Sequence, residues 1–282
     1  MREETMESIT KPSKETGTKI AIYVVAIVVA IVILMPFIII LKDSWGPAYV
    51  YVQGPGGHWE AHELQGAFLG WNNVNDFLES QIFVGLKNSF IIGVCSTALT
   101  LYFSALTAYA IVAYDWRLRE VFNKFVLAVM MIPTTISSIG FVQMIYKMHM
   151  TNKLIMFILP AIAAPVTVFF MRQYLQATDL SEIIQSARLD GAGEFRIFNT
   201  IVLPLMKPAF ATQGILAFVA SWNNLFVPMV VLTEPAKMTI PILVRNTADY
   251  KIILFCCLPP MVIYLLLSKH IVDGITLGGV KN

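Results

Sequence analysis

Six stretches of this chain, residues 20–41, 84–114, 125–146, 154–175, 209–232 and 252–267, are apolar over about the length that a membrane-crossing helix needs. A hydrocarbon layer of roughly 30 Å takes about 20 helical residues, and only a helix or a closed barrel satisfies its own backbone there. The first run is the most extreme, with no charge between Lys19 and Lys42 and only Pro36 as a helix breaker. A basic segment precedes it, as in a secretory signal, but no small-x-small cleavage site follows, so a retained anchor is expected. Over all 282 residues the chain is 57% hydrophobic and 13% charged, where soluble domains carry about 25% charged residues. A soluble globular domain is thereby excluded. The predicted fold class is all-α integral membrane with six transmembrane helices.

Charge sets the expected orientation. With the N-terminus in the cytoplasm, 13 of the 20 Lys and Arg fall on inner segments, among them Arg117, Arg119, Lys124, Arg188 and Arg196. The positive-inside rule therefore places both termini inside. The expected organisation is an inner tail at 1–19, the first helix at 20–41, an external loop at 42–83, a core at 84–267 and an inner tail at 268–282. That loop holds Asp43, Glu60, Glu63, Asp76 and Glu79 and the turn-rich run Gly54-Pro55-Gly56-Gly57, and it reads as irregular. A net charge of +2 gives no basic excess for a nucleic-acid partner.

Several chemistries find no support. Cys95, Cys256 and Cys257 lie in apolar runs without a ligand at metal spacing, and read as buried small hydrophobes. His58 and His62 fall in the loop, and Met144, Met148 and Met150 read as packing, so no metal is expected. There is no Gly-x4-Gly-Lys-Ser/Thr; Gly191-Ala192-Gly193 lacks the lysine and follows no strand. No catalytic residue and no cofactor is expected in this chain, and no motor. Ionisable groups deep in the spans are nearly absent, which argues against a carrier driven by a proton or sodium relay.

The segment 176–208, between the fourth and fifth spans, is far longer than a connection requires. Asp179 and Glu182 form a variant capping box, and Leu180, Ile183, Ile184 and Ala187 follow at i, i+3, i+4, i+7 as one apolar stripe. Gly191 is placed to end that helix in the left-handed conformation. A second short helix from Glu194 to Val202 is expected to carry Phe195, Phe198 and Val202 on one face, stopped by Pro204.

The run Gln185-Ser186-Ala187-Arg188-Leu189-Asp190-Gly191, nine residues, Ile201, one residue, Leu203-Pro204 resembles the cytoplasmic loop of permease subunits of binding-protein-dependent ABC importers. In that family the pattern is Glu-Ala-Ala, three residues, Gly, nine residues, Ile, one residue, Leu-Pro. Ala187 to Ala192, with Phe195 and Phe198 behind it, is most similar to the carbohydrate branch, the family of the smaller permease of the maltose transporter. Met131-Ile132-Pro133, Phe170-Met171-Arg172-Gln173, Ser221-Trp222-Asn223-Asn224 and Gly278-Gly279-Val280-Lys281 are similar to its other landmarks.

The resemblance implies a type I importer fold in a prokaryotic plasma membrane. It implies a second permease subunit, two ATPase subunits that bind the ATP and Mg, and an extracellular solute-binding protein. It assigns ATPase coupling to Glu182, Gln185, Ser186, Ala187, Asp190, Gly191, Ile201, Leu203 and Pro204. Gln185 and Ser186 depart from the family's Glu and Ala. The ion pair expected there is either replaced by a neutral amide hydrogen bond or taken over by Glu182, nearly one turn earlier.

The polar groups within the spans are Ser221, Trp222, Asn223 and Asn224 in the fifth span, Gln143 and Tyr146 in the third, and Asn88 with Ser89 at the outer part of the second. Of these, Trp222, Asn223, Asn224, Gln143 and Tyr146 are expected to mark a solute path. Amides that donate and accept, beside aromatic faces, suit a sugar; the same amides also suit bonds between helices. The expected function is translocation of a carbohydrate, with an oligosaccharide foremost. Importers of a glycerol phosphate or a polyamine, or a stand-alone carrier, are the alternatives.

Overall fold

The computed structural model describes residues 14–44, 48–53, 59–64, 81–178, 180–246, 253, 256–266 and 268. The chain divides into two compact units, residues 1–70 with 249–254, and residues 71–248 with 255–282.

In the first unit, α1 (Lys14–Ser44) is a helix of 31 residues. Its Val and Ile are mediocre helix formers in water, but in lipid a single segment can satisfy its backbone only as a helix. No residue of Thr18–Ile39 is buried, so α1 is apolar on every face and open on every face, as suits a helix surrounded by acyl chains. The unit also contains β1 (Ala48–Gln53) paired antiparallel with β2 (Trp59–Leu64), with Val50 opposite His62 and Val52 opposite Glu60. This hairpin corrects the expectation of an irregular loop. The β-branched and aromatic run Tyr49-Val50-Tyr51-Val52 has the composition of a strand.

In the second unit, α2 (Gln81–Ala113) is one unbroken helix of 33 residues, about 50 Å long at 1.5 Å per residue. Asn88, Ser89, Ser96, Thr100, Ser104 and Ala108 recur on its buried side. Steps of three and four put them on one face, and their small size lets neighbouring helices approach closely. Gly93 shows how closely: a Cβ there would lie 2.7 Å from the Phe218 ring. Cys95, by contrast, is exposed rather than buried.

The following elements complete the unit. They are α3 (Arg119–Met130) and α4 (Thr134–Lys147), then α5 (Ile155–Ile158) leading through a tight turn at Leu159–Ile162 into α6 (Pro165–Thr178). Next come α7 (Ser181–Leu189), and α8 (Glu194–Ile197), which runs on through a π turn at Phe198–Val202. The unit closes with α9 (Lys207–Trp222), α10 (Phe226–Val231), α11 (Ile240–Asn246) and α12 (Cys256–Leu266). Helices α6 and α9 lie against α2. At the far end of α2 the Asn88 amide donates to the carbonyls of Ala236 (3.1 Å) and Met238 (2.9 Å), and the Ile240 N–H donates to Ser89 Oγ (2.9 Å).

Among the described residues four helices are long and apolar enough to cross a membrane: those within Thr18–Ile39, Gln81–Ala113, Ile155–Thr178 and Lys207–Val231. The expected third span, 125–146, is not one helix. The chain turns by 95° between α3 and α4, where Pro133 removes a backbone donor and takes an extended ψ of 130°. The described part of the expected sixth span, Cys256–Leu266, is shorter than a crossing requires.

Candidate functional site

The segment between α6 and α9 does not hang free of the bundle. Leu180, Ile184 and Ala187 of the α7 region and Ile197, Phe198 and Val202 of the α8 region share one buried cluster with Ala105, Ala108 and Tyr109 of α2 and Met171 and Leu175 of α6. Between the two short helices, Gly191 takes φ +79°, the left-handed conformation in which glycine alone escapes a Cβ clash. The Ala192 N–H donates to the Ala187 carbonyl at 3.0 Å and closes the end of α7.

An ion pair fixes this corner. Arg188 Nε donates to Glu194 Oε1 at 2.6 Å, while its outer nitrogen donates to the Ala113 carbonyl at 3.2 Å. The guanidinium also lies 5.4 Å from the Tyr114 ring centre, within cation–π range. The other Glu194 oxygen accepts from the Tyr109 hydroxyl at 2.7 Å. One carboxylate thus ties the start of α8 to the end of α7 and to the last turns of α2. The Arg188 hydrogen bond is the largest cause that lowers the Glu194 carboxyl from its usual range to about 2; burial opposes it and the Tyr109 bond adds to it.

The corner's outer surface carries two large apolar side chains beside the exposed Asp190 and Arg196. Leu189 is 90% exposed and Phe195 is 70% exposed. Phe195 therefore does not share the buried face expected for it with Phe198 and Val202: the buried side of α8 is centred on Ile197 and Phe198, and Phe195, two residues from Ile197, is turned about 200° from it. Ile183 is likewise exposed, beside buried Leu180 and Ile184. Asp179 lies outside the described residues, and α7 starts from Leu180 with no side-chain cap.

The residues expected to couple to a partner divide by position. Glu182, Gln185, Ser186, Asp190, Gly191 and Pro204 are exposed, whereas Ile201 and Leu203 are half-buried against the cluster. Ala187 is only 8% exposed, so its small side chain serves packing within this chain and not an outward contact. Gln185 and Arg188 line a groove of about 520 Å³ between α7 and the end of α2, and Glu182 does not.

A second feature lies along α2 toward its other end, a cleft of about 530 Å³. Ser89, Ser96, Thr134, Ser137, Thr167 and Ser221 supply hydroxyls to its wall, with Trp222 and Asn224 at the end of α9 and no charged side chain among the described residues. Ser96 donates to Ser221 at 3.1 Å, and Trp222 is stacked on Phe218 at 5.6 Å. Thr239 also faces the cleft; it is 4% exposed and its hydroxyl has no hydrogen-bond partner among the described residues. Of the path residues expected, Trp222 and Asn224 are brought together here. Asn223 and Gln143 are exposed outside the lining, and the Tyr146 hydroxyl donates to the Val230 carbonyl at 2.8 Å. Of the hydroxyl stripe of α2 the sequence marked only Ser89; Ser96 and Thr100 continue it at helical spacing.

Fold and site together define a polytopic membrane permease built around one central helix. Residues 100–276 match the model of the family described as binding-protein-dependent transport system inner membrane component, and the chain belongs to that family. It is 36% identical over 204 residues to the arabinooligosaccharides transport system permease protein AraQ of Bacillus subtilis (strain 168), covering 69% of this chain and 72% of that one. To the melibiose/raffinose/stachyose import permease protein MelC of the same organism it is 27% identical over 278 residues, covering 93% and 96%. Its fold is similar to that in the crystal structure of a bacterial ABC transporter involved in the import of the acidic polysaccharide alginate, with a TM-score of 0.73 at 20% identity over 93% of this chain and 99% of that one.

Proposed function

We propose that this chain is one of two permease subunits of an ATP-driven importer and translocates a neutral oligosaccharide delivered by an extracellular solute-binding protein. The cleft carries this reading. Its wall of hydroxyls and the exposed Asn224 amide offer donors and acceptors, which is the chemistry of a sugar, while Trp222, 3% exposed and stacked on Phe218, backs that wall. A phosphate ester would call for Arg or Lys, and the described lining contains neither. The relatives named for arabino-oligosaccharides and for raffinose-type sugars favour the same class.

In this reading both termini and the Gly191 corner face the cytoplasm. Two ATPase subunits bind ATP and Mg and dock on the exposed corner, where Leu189, Gly191 and Phe195 meet a partner surface and Gln185 or Glu182 supplies a polar contact. The chain itself hydrolyses nothing. Its own residues hold the corner rigid against α2, so that displacement of the corner reaches the cleft.

Uptake of labelled solutes by cells in which this chain is deleted and then restored tests the reading. Loss and recovery of oligosaccharide uptake, with glycerol phosphate uptake unchanged, is expected. Loss confined to glycerol phosphate or a polyamine would replace the neutral sugar, and ATP hydrolysis by the isolated chain would overturn the assignment of the motor to partners.

A further inference from the structure

The sequence singles out Phe170-Met171-Arg172-Gln173, and nothing in the transport path or the corner uses Arg172. The half-buried Arg172 side chain projects from α6 into a cavity of about 120 Å³ that Asn123 and Lys124 of α3 also line. Its Nε is buried and has no hydrogen-bond partner among the described residues. A buried donor without an acceptor is unfavourable, so the site lacks an acceptor, which an anion beside a guanidinium would supply. No carboxylate supplies it among the described residues. Arg119, at the rim, is committed to Asp115 (3.7 Å) and to the Tyr114 carbonyl (3.4 Å). Glu120, although it lines the cavity, makes no ion pair with Arg172 or Lys124 among the described residues.

Depth and surroundings identify the anion. Arg172 stands six residues before the end of α6 at Thr178, about 9 Å along the helix. It is level with Ile111 and Val112 in the last turn of α2, which form the inner wall. On the adjoining surface α3 exposes Leu118, Val121 and Phe125 by 59%, 63% and 61%, while Val126 is buried against Ile111 and Val168. A helix apolar on its outer side, bent by 95° from the next, suits the plane of the headgroup region. A cationic pocket of phosphate size beside an open apolar surface, at the end of a membrane helix, has the chemistry that selects anionic lipid headgroups.

We propose that Arg172 and Lys124 bind the phosphodiester of an anionic phospholipid of the inner leaflet, whose acyl chains lie on Val121 and Phe125. The leaflet rests on the orientation proposed above; the site itself does not. Arg172 meets the phosphate with its planar fork, Lys124 adds a point charge at the rim, and Asn123 can donate through its amide.

The test is native mass spectrometry of the full chain purified in detergent and supplied with phosphatidylglycerol or phosphatidylcholine. One retained phosphatidylglycerol per chain is expected, with phosphatidylcholine washed out. Arg172→Gln should weaken retention about tenfold and Lys124→Gln about threefold, magnitudes typical of one charge-assisted contact. Lys124 is exposed, so its variant folds even if Arg172→Gln does not, and Arg172→Lys should retain an intermediate affinity. Equal retention of both lipids, or of phosphatidylglycerol by wild type and Lys124→Gln, overturns the proposal. So does displacement by millimolar inorganic phosphate, which would assign the pocket to a soluble phosphate. Solute uptake does not enter this readout, so failure of the transport reading leaves it unaffected.

Discussion

Replacing Glu194 by Gln keeps the shape of the side chain and removes the charge that holds the corner. The pair it breaks is short, 2.6 Å, but about a third exposed on each side, 35% for Arg188 and 37% for Glu194. Exposed ion pairs contribute about 0.2–1 kcal/mol, and hydrogen bonds to charged groups about 1.5–3 kcal/mol. Partial exposure and the additional Tyr109 bond place the loss between these, at about 1–2 kcal/mol for local opening of the corner. That is a factor of about 5–30 in the opening equilibrium. Amide hydrogen exchange over residues 184–197 in the assembled transporter reads it directly, and solute taken up per ATP hydrolysed reads its consequence. Faster exchange in this segment and a lower uptake per ATP are expected, with assembly preserved. The pH dependence has a definite sign. A carboxyl held at about 2 contributes fully above its unfolded pKa of about 4.5 and loses the contribution as pH falls through the folded value. Wild-type exchange, corrected for its intrinsic rate, should be flat from about pH 7 to 5 and accelerate below about 4.5, and Glu194→Gln should lack that step. Equal exchange in the two proteins at pH 7, with uptake per ATP unchanged, refutes the reasoning.

Three further outcomes follow from particular positions. Gly191→Val meets no neighbour within 4 Å of its Cβ, so its penalty is the left-handed backbone alone, about 1–2 kcal/mol; the protein should insert and assemble but lose uptake, which transport and pull-down assays separate. Gly93→Ala drives a Cβ to 2.7 Å from the Phe218 ring and should destabilise the bundle by about 1–3 kcal/mol; thermal unfolding in detergent measures this, and Gly93→Ala with Phe218→Leu should recover most of it. Glu182→Ala should lower ATPase retention a few-fold at low salt and less at high salt, as an exposed pair screened over about 10 Å at 0.1 M requires; Gln185→Glu should preserve or strengthen retention, and no change in Glu182→Ala leaves docking to the rest of the corner.

What could be read from the sequence was whatever lies in a local period or a local composition. The spans near 20–41, 84–114 and 154–175 follow from apolar length, and Gly191 follows from a glycine just beyond a periodic run. The 95° turn at Pro133 was not legible, because a proline in an apolar stretch has the same composition whether the helix kinks or reverses. The exposure of Phe195 was not legible because its spacing from Phe198 alone suggests a shared face, whereas the buried side is set jointly with Ile197, which points away from Phe195. The hairpin at 48–64 was hidden by its Gly/Pro centre, although Tyr49 to Val52 has strand character. Arg188 and Glu194 are six residues apart across a left-handed glycine, a separation at which no helical pattern pairs them. Their partner Tyr109 comes from 85 residues away from Glu194, a relation that only the fold creates.

The unbroken length of α2 has a mechanical consequence. Its Asn88 end is pinned to the carbonyls of Ala236 and Met238, and its Tyr109 end is bonded to the corner through Glu194. The helical path from Asn88 to Tyr109 is about 32 Å, so a pivot of about 10° about the pinned end sweeps the other through about 5–6 Å, close to one helical pitch. Ser89, near the pivot, moves only a few tenths of an ångström in the same rotation, and Thr100, about 18 Å from it, moves about 3 Å. The cleft wall therefore shears progressively along its length and does not open as a unit. In the transport reading proposed above, a long solute threaded along the cleft would meet the largest displacement at the end nearest the corner and almost none at its far end.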